Sequence, residues 1–95
     1  MPVVDHERLR GVIRGDVQGV GFRYFLARQA RALGLRGWVR NRDDSTVEFV
    51  AEGPRPDLER LLEAARRGPG HARVAGVNAE WSSAGGGLEP FGLAW

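Results

Sequence analysis

Hydrophobic and polar positions alternate near the start of the chain. Leu9, Gly11 and Ile13 share one side of this pattern, and arginines occupy much of the other. A period of two predicts a half-buried first strand. The glycine-rich segment 15–21 interrupts it, and the apolar residues that follow have the spacing of a helix that Gly34 ends. This helical set comprises Phe22, Phe25, Leu26, Ala30 and Leu33.

The middle of the chain predicts a hairpin followed by a second helix. One strand runs from about Arg36 to Asn41, segment 42–45 forms a turn, and segment 46–52 alternates again. On the returning strand, Val47, Phe49 and Ala51 share the inner side. Gly53, Pro54 and Pro56 then open a helix, and Gly68, Pro69 and Gly70 end it. Its apolar stripe comprises Leu58, Leu61, Leu62 and Ala65.

The last quarter of the chain predicts two more strands. Val77, Ala79 and Trp81 form the inner face of one strand, segment 82–87 is a loop, and Phe91, Leu93 and Trp95 form a last short alternation. This order predicts an α+β fold, a ferredoxin-like βαββαβ sandwich. We expect a single domain over residues 1–95, with two helices on one face of an antiparallel sheet and a short C-terminal extra strand.

Composition excludes several kinds of chemistry. The 95 residues include no cysteine, so there is no disulfide framework, thiolate zinc site, iron-sulfur cluster or cysteine nucleophile. No apolar run is long enough to span a bilayer, and the first residues lack the basic flank and apolar stretch of a signal peptide. We therefore expect a cytoplasmic protein without a membrane partner.

The charge balance argues against a dedicated nucleic-acid binder. All 14 basic residues are arginine, and 12 acidic residues leave a formal net charge of +2. Arginine stays charged to very high pH, so the sequence pI of about 10.4 exaggerates a small excess. The chain lacks the one-sided basic balance typical of proteins that bind nucleic acid. We expect no nucleic-acid partner.

The predicted topology brings the glycine-rich segment to one edge of the sheet. The first two strands are the parallel members of a right-handed βαβ crossover, so the segment from Gly15 to Arg23 converges with Asn41. Backbone amides in a glycine-rich turn, a helix N-terminus and a guanidinium together make an anion site, and phosphate fits the planar fork of arginine. The pattern alone is also compatible with ordinary turn chemistry, because it lacks the spacing of known nucleotide-binding loops.

Two motifs resemble the acylphosphatase family. Residues 13–23 read IRGDVQGVGFR, and residues 34–41 read GLRGWVRN. The resemblance covers nearly the whole chain and implies a ferredoxin-like fold and hydrolysis of the carboxyl-phosphate bond of acylphosphates. It also implies that Arg23 binds the phosphate and that Asn41 orients the attacking water. Amides of the loop from Asp16 to Gly21 resemble the phosphate cradle, which comprises Asp16, Val17, Gln18, Gly19, Val20 and Gly21.

The sequence departs from the family pattern at two positions. Asp44-Ser45 stands where the family usually has Asp-Gly, which affects the hairpin turn after Asn41. If these two residues form a two-residue turn, Ser45 must take a positive φ. Asp16 places an acid in a loop that would hold an anion, so we expect its side chain to point outward and its amide alone to contribute.

The residue types near the loop agree with a reaction that needs no proton donor. There is no histidine, cysteine or carboxylate cluster beside the loop. An acylphosphate releases a carboxylate, which departs without protonation, so positioning and charge stabilisation suffice. We expect no cofactor, no metal and a monomer that acts on a small-molecule acylphosphate.

Two other functions remain open. A ferredoxin-like module can hold an anion or RNA without catalysis, although an RNA platform needs exposed aromatic residues in the middle of adjacent strands, which Val12 and Glu48 do not supply. A related third possibility is a module specialised for carbamoyl phosphate in a larger assembly, which we favour less because the sequence has no additional segment that supports it.

Overall fold

The computed structural model describes residues 5–94 and contains five strands and two helices in the predicted order. The two helices are α1 (Phe22–Ala32) and α2 (Arg55–Arg67). The strands are β1 (His6–Asp16), β2 (Arg36–Asn41), β3 (Val47–Pro54), β4 (Arg73–Ser83) and β5 (Gly92–Leu93). Trp95, which the sequence pattern assigned to the last alternation, lies outside the described residues.

The sheet has the strand order β4-β1-β3-β2-β5. β1 is antiparallel to both β3 and β4, and β2 is antiparallel to β3. β1 and β2 therefore run in the same direction with β3 between them, as the split βαβ topology predicts. The extra strand β5 pairs parallel with β2, so the sheet is mixed rather than wholly antiparallel.

Both helices pack on one face of the sheet and form the core with it. In α1, Phe22, Leu26 and Ala30 are buried at helical spacing, and Gly34 follows the helix with a left-handed φ of 70°. Each large side chain that is fully buried contributes about 1.5–3 kcal/mol to folding. The largest fully buried side chains are Phe22, Phe49, Phe91, Leu9, Ile13, Leu26, Leu58, Leu61, Val17, Val39 and Val47.

The opposite face of β3 carries two carboxylates that are shielded from solvent. Glu48 is 4% exposed and Glu52 is 7% exposed. Arg10 and Arg40, from the strands on either side, donate to the Glu48 carboxylate at 2.7 and 2.8 Å. Alternation along β3 predicts that these carboxylates face away from the core, but arginines on neighbouring strands bury them.

The turn between β2 and β3 contains one more residue than the two-residue turn considered from the sequence. The Arg42 N–H donates to the Thr46 carbonyl at 2.9 Å, and the Ser45 N–H donates to the Arg42 carbonyl at 3.2 Å. Residues 43–45 therefore form a three-residue loop of the type that ends in a left-handed residue. Ser45 occupies that position with a φ of 73°.

Candidate active site

The loop between β1 and α1 presents a helix N-terminus to solvent. Gly19 and Gly21 have φ values of 74° and 78°, a left-handed conformation that glycine adopts without steric cost. Gly21 is the N-cap residue, and no side-chain hydrogen bond caps the helix. The first turn of α1 contains no acidic residue. The positive end of the helix dipole is therefore accessible to an anion.

A small cavity of about 90 Å³ lies at this helix end. Arg23 reaches it from the first turn of α1, and Asn41 reaches it from the last position of β2. The two residues meet because β1 and β2 run parallel and α1 crosses between them. The residues that line the cavity are Val17, Gly19, Gly21, Phe22, Arg23, Tyr24 and Asn41.

The predicted cradle residues fall into two groups. Val17, Gly19 and Gly21 line the cavity, whereas Asp16, Gln18 and Val20 do not belong to the described lining. Asp16 is the last residue of β1 and is exposed, and its backbone lies opposite Arg73 in the ladder between β1 and β4. The side chains of the remaining two residues go elsewhere: Val20 packs against the core, and Gln18 donates hydrogen bonds to the β2–β3 turn.

Sequence reasoning missed two lining residues, Phe22 and Tyr24. They flank Arg23 in the first helical turn, and the first intrahelical hydrogen bond joins the Phe25 N–H to the Gly21 carbonyl at 3.0 Å. The first N–H groups of a helix have no acceptor within the helix. The position of Phe22 and Tyr24 in the first helical turn could therefore have indicated that they line an anion site. Tyr24 is also 61% exposed, unusual for a large side chain in this protein.

Asn41 also borders a wider, open groove of about 450 Å³. Arg40, Arg42, Asp43 and Asp44 line this groove with it. The small cavity and the groove therefore share Asn41.

One carboxylate of the turn after Asn41, that of Asp44, is held in its charged form. The Thr46 hydroxyl donates to Asp44 at 2.5 Å and the Thr46 N–H donates to it at 3.1 Å. These hydrogen bonds, with Arg42 nearby, lower the pKa of Asp44 below its ordinary value. Asp44 is therefore an ionised turn residue at neutral pH and has no proton to donate there.

Across residues 5–94, no group of three or more His, Cys, Asp or Glu side chains is placed to hold a metal ion. Neither helix in that range has the length and apolar character needed to cross a membrane.

Comparison with known proteins identifies the family. A model of the acylphosphatase family matches residues 9–92. The chain belongs to the acylphosphatase family. This confirms the resemblance seen in the two sequence motifs.

Relatives in the acylphosphatase family are similar over most of their length. The chain is 49% identical over 85 residues to the acylphosphatase of Salinibacter ruber, covering 90% of each protein. It is 53% identical over 87 residues to that of Acidothermus cellulolyticus, covering 88% of this chain and 83% of the relative. The crystal structure of acylphosphatase from Bacillus subtilis superposes with a TM-score of 0.90 at 38% identity, covering 94% and 99% of the two chains. The ferredoxin-like acylphosphatase fold is thereby confirmed.

Proposed function

We propose that this protein hydrolyses the carboxyl-phosphate bond of acylphosphates, using Arg23 and loop amides to hold the phosphoryl group and Asn41 to orient the attacking water. Membership of the acylphosphatase family supports the reaction class. The observation that carries the residue assignment is the cavity that Arg23 and Asn41 share at the N-terminus of α1. Both residues come from the same chain, so the proposal needs no second copy of the protein.

The phosphoryl group occupies the small cavity in this proposal. Arginine offers a planar fork of donors that matches two phosphate oxygens, and the amides of the glycine loop and the first helical turn approach the others. About 90 Å³ accommodates a phosphoryl group but not a long acyl chain in addition. The acyl part of the substrate therefore extends out of the cavity.

Asn41 acts on the water. Its side-chain amide has both a donor and an acceptor, so it can fix the orientation of one water molecule without changing protonation. Phosphoryl transfer places the attacking and leaving oxygens roughly in line, so a water beside Asn41 requires the acyl group to leave on the opposite side. Asn41 also borders an open groove, so its side chain lies close to bulk solvent.

The bond changes need no general acid. The water oxygen forms the new bond to phosphorus, and the bond from phosphorus to the acyl oxygen breaks with its electron pair going to the carboxylate. One water proton stays on the transferred oxygen, and the other passes to a phosphate oxygen or to solvent. Because the carboxylate leaves without protonation, the reaction requires neither a protonated Asp44 nor a titratable group at Asn41. Fixed donors around the phosphoryl oxygens stabilise the transition state.

Phosphate release in the presence of a chelator tests the proposal. The protein should hydrolyse a simple acylphosphate, whereas an alkyl phosphate monoester, whose alkoxide must be protonated, should react more slowly by about 10²–10⁴-fold, the usual contribution of general acid catalysis. Comparable rates on both substrates would contradict the proposed chemistry. Phosphate binding without any hydrolysis would favour the non-catalytic anion-binding module.

A further inference from the structure

We propose that Gln18 is a positioning residue that fixes the glycine loop relative to Asn41. The inference rests on the proposed function, because its effect on turnover requires that function. Gln18 lies in the loop between Val17 and Gly19, both of which line the cavity, but its side chain reaches across to the β2–β3 turn. It therefore connects the two elements that supply the phosphate cradle and the water-orienting side chain.

The contact uses the full donor capacity of the side-chain amide. Gln18 Nε2 donates to the Arg42 carbonyl at 2.7 Å and to the Thr46 carbonyl at 2.9 Å. An amide nitrogen has two hydrogens, and both are directed at backbone acceptors of the turn. Two hydrogen bonds to backbone restrict both the distance and the orientation of the loop more tightly than one would.

These two carbonyls lie immediately beyond Asn41 along the hairpin. Asn41 and Val47 form the last pair of the β2–β3 ladder. Arg42 and Thr46 form the next pair outward, joined by the hydrogen bond from the Arg42 N–H to the Thr46 carbonyl. Any displacement of the loop at Gln18 is therefore transmitted to the turn within one residue of Asn41.

The loop needs such an anchor because its backbone is intrinsically permissive. Gly19 and Gly21 give it access to many conformations, so chain connectivity alone does not fix its position. Val17 is buried at one end and Val20 packs against the core, which holds the loop on the sheet. Gln18 adds the lateral contact toward Asn41. Loss of that contact should leave the cradle formed but shift it relative to the water site.

Gln18→Met removes both donors and keeps a side chain of similar length. We expect kcat on an acylphosphate to fall by about 10–100-fold, the range that small misplacements cost, with inhibition by inorganic phosphate changed by no more than about twofold. Gln18→Glu, which points an acceptor at two carbonyls, should lose at least as much and provides a second folded variant. Gln29→Met on α1, a half-buried glutamine outside the cavity, is the matched control and should retain wild-type kcat.

A double-mutant cycle separates positioning from stability. If Gln18 acts through Asn41, then Gln18→Met should change kcat by no more than about twofold in the Asn41→Ala background. The same 10–100-fold loss in both backgrounds, an unchanged kcat in Gln18→Met, or phosphate binding that weakens in parallel with kcat would each overturn the inference.

A spectroscopic measurement keeps the inference testable even if the wild type proves inactive on acylphosphates. Inactivity would refute the proposed function and leave the geometric claim to be decided by NMR. In the presence of inorganic phosphate, the side-chain amide signals of Asn41 should be shifted or broadened by Gln18→Met and unaffected by Gln29→Met. Identical Asn41 signals in Gln18→Met and the wild type would show that Gln18 does not position Asn41.

Discussion

Arg23 and Asn41 line the same cavity although one lies in the first turn of a helix and the other ends a strand. The parallel arrangement of β1 and β2 produces this meeting, because the crossover through α1 returns the chain to the same edge of the sheet. An arginine fork and an uncharged amide thus face one small space beside a helix N-terminus.

Asn41→Ala should reduce turnover while leaving phosphate inhibition largely intact. The side chain addresses the water in the proposed mechanism and not the phosphoryl oxygens, so its removal affects a transition-state interaction. We expect kcat to fall by about 10²-fold or more, the cost of a lost orienting group. Steady-state kinetics with inorganic phosphate as inhibitor measure both effects.

The control for Asn41 is Asn78→Ala, an exposed asparagine on β4. It should leave kcat unchanged. Weakened phosphate inhibition with normal kcat in Asn41→Ala would reverse the assignment and make Asn41 a phosphate ligand.

Ser45→Gly should stabilise the protein. Ser45 has a φ of 73°, and a left-handed conformation costs a residue with a Cβ about 1 kcal/mol relative to glycine. Gain of that amount raises the melting temperature by about 4–8 °C in a domain of this size. Thermal unfolding measures the change, and a lowered melting temperature would mean that the Ser45 side chain contributes more than its strain costs.

The reciprocal change, Gly34→Ala, provides a control of opposite sign. Gly34 has a φ of 70°, and a Cβ there would meet no heavy atom within 4 Å. The substitution should therefore destabilise by backbone strain alone, by about 1 kcal/mol. Opposite shifts of similar size in the two variants would establish the strain at Ser45.

Acid should weaken the ion pairs that Glu48 forms with Arg10 and Arg40 on the helix-free face of the sheet. Desolvation raises the pKa of Glu48, but hydrogen bonds from Arg40 and Arg10 outweigh it and hold that pKa below its ordinary value of 4.5. A carboxylate with a lowered folded-state pKa contributes stability that is fully present above the unfolded-state value and is lost as the pH falls through the folded-state value. The loss should therefore begin below about pH 4.5.

Denaturant unfolding of Glu48→Gln isolates this contribution. We expect the variant to lose on the order of 1–3 kcal/mol at pH 7 and to show a flatter decline of stability between pH 5 and 3 than the wild type. Glu80→Gln is the control, because Glu80 is 72% exposed on the side chain and pairs with Arg10 at 3.5 Å. Its stability should change little. Equal pH dependence in Glu48→Gln and the wild type would contradict the assignment.

Periodicity predicted most of the fold because the main elements have clear local signals. The alternation around Leu9 and Ile13, the bounds of β2 and the stripe that includes Leu58 and Leu61 all agree with the structure. The parallel pairing of β5 with β2 was not predicted, because a two-residue strand has too short a pattern to show its partner. Burial of Glu48 was missed because it depends on arginines from two other strands.

The candidate site was predictable as a location and less so in detail. Topology indicated that the loop, Arg23 and Asn41 would converge, and the cavity is lined by Arg23, Asn41 and part of the loop. The direction of the Gln18 side chain could not be read from its residue type, because a glutamine in a loop has several backbone acceptors within reach. The three-residue turn that ends at Ser45 likewise depends on which backbone groups pair.

Turnover should be nearly independent of pH between about 5 and 8, and of chelators. A guanidinium stays protonated throughout this range, and an amide does not titrate. Any mild dependence of the rate on pH should follow the ionisation of the substrate's phosphate group, whose second pKa lies near or below about 6. A pH-rate profile measured with and without EDTA tests this. A bell-shaped profile abolished by replacing the exposed His6 or His71, or activity that EDTA removes and a divalent ion restores, would contradict the mechanism.

Comparison of Arg23→Lys, Arg23→Ala and the wild type on a simple acylphosphate tests the central claim most directly, with Arg28→Ala, an exposed arginine on α1, as the control. Lysine keeps the charge but cannot form two parallel hydrogen bonds to phosphate oxygens. We expect both Arg23 variants to lose nearly all activity, by about 10²-fold or more, with melting temperatures near that of the wild type, and Arg28→Ala to stay fully active. Near wild-type turnover in Arg23→Lys would show that a point charge suffices and would contradict the bidentate phosphate site.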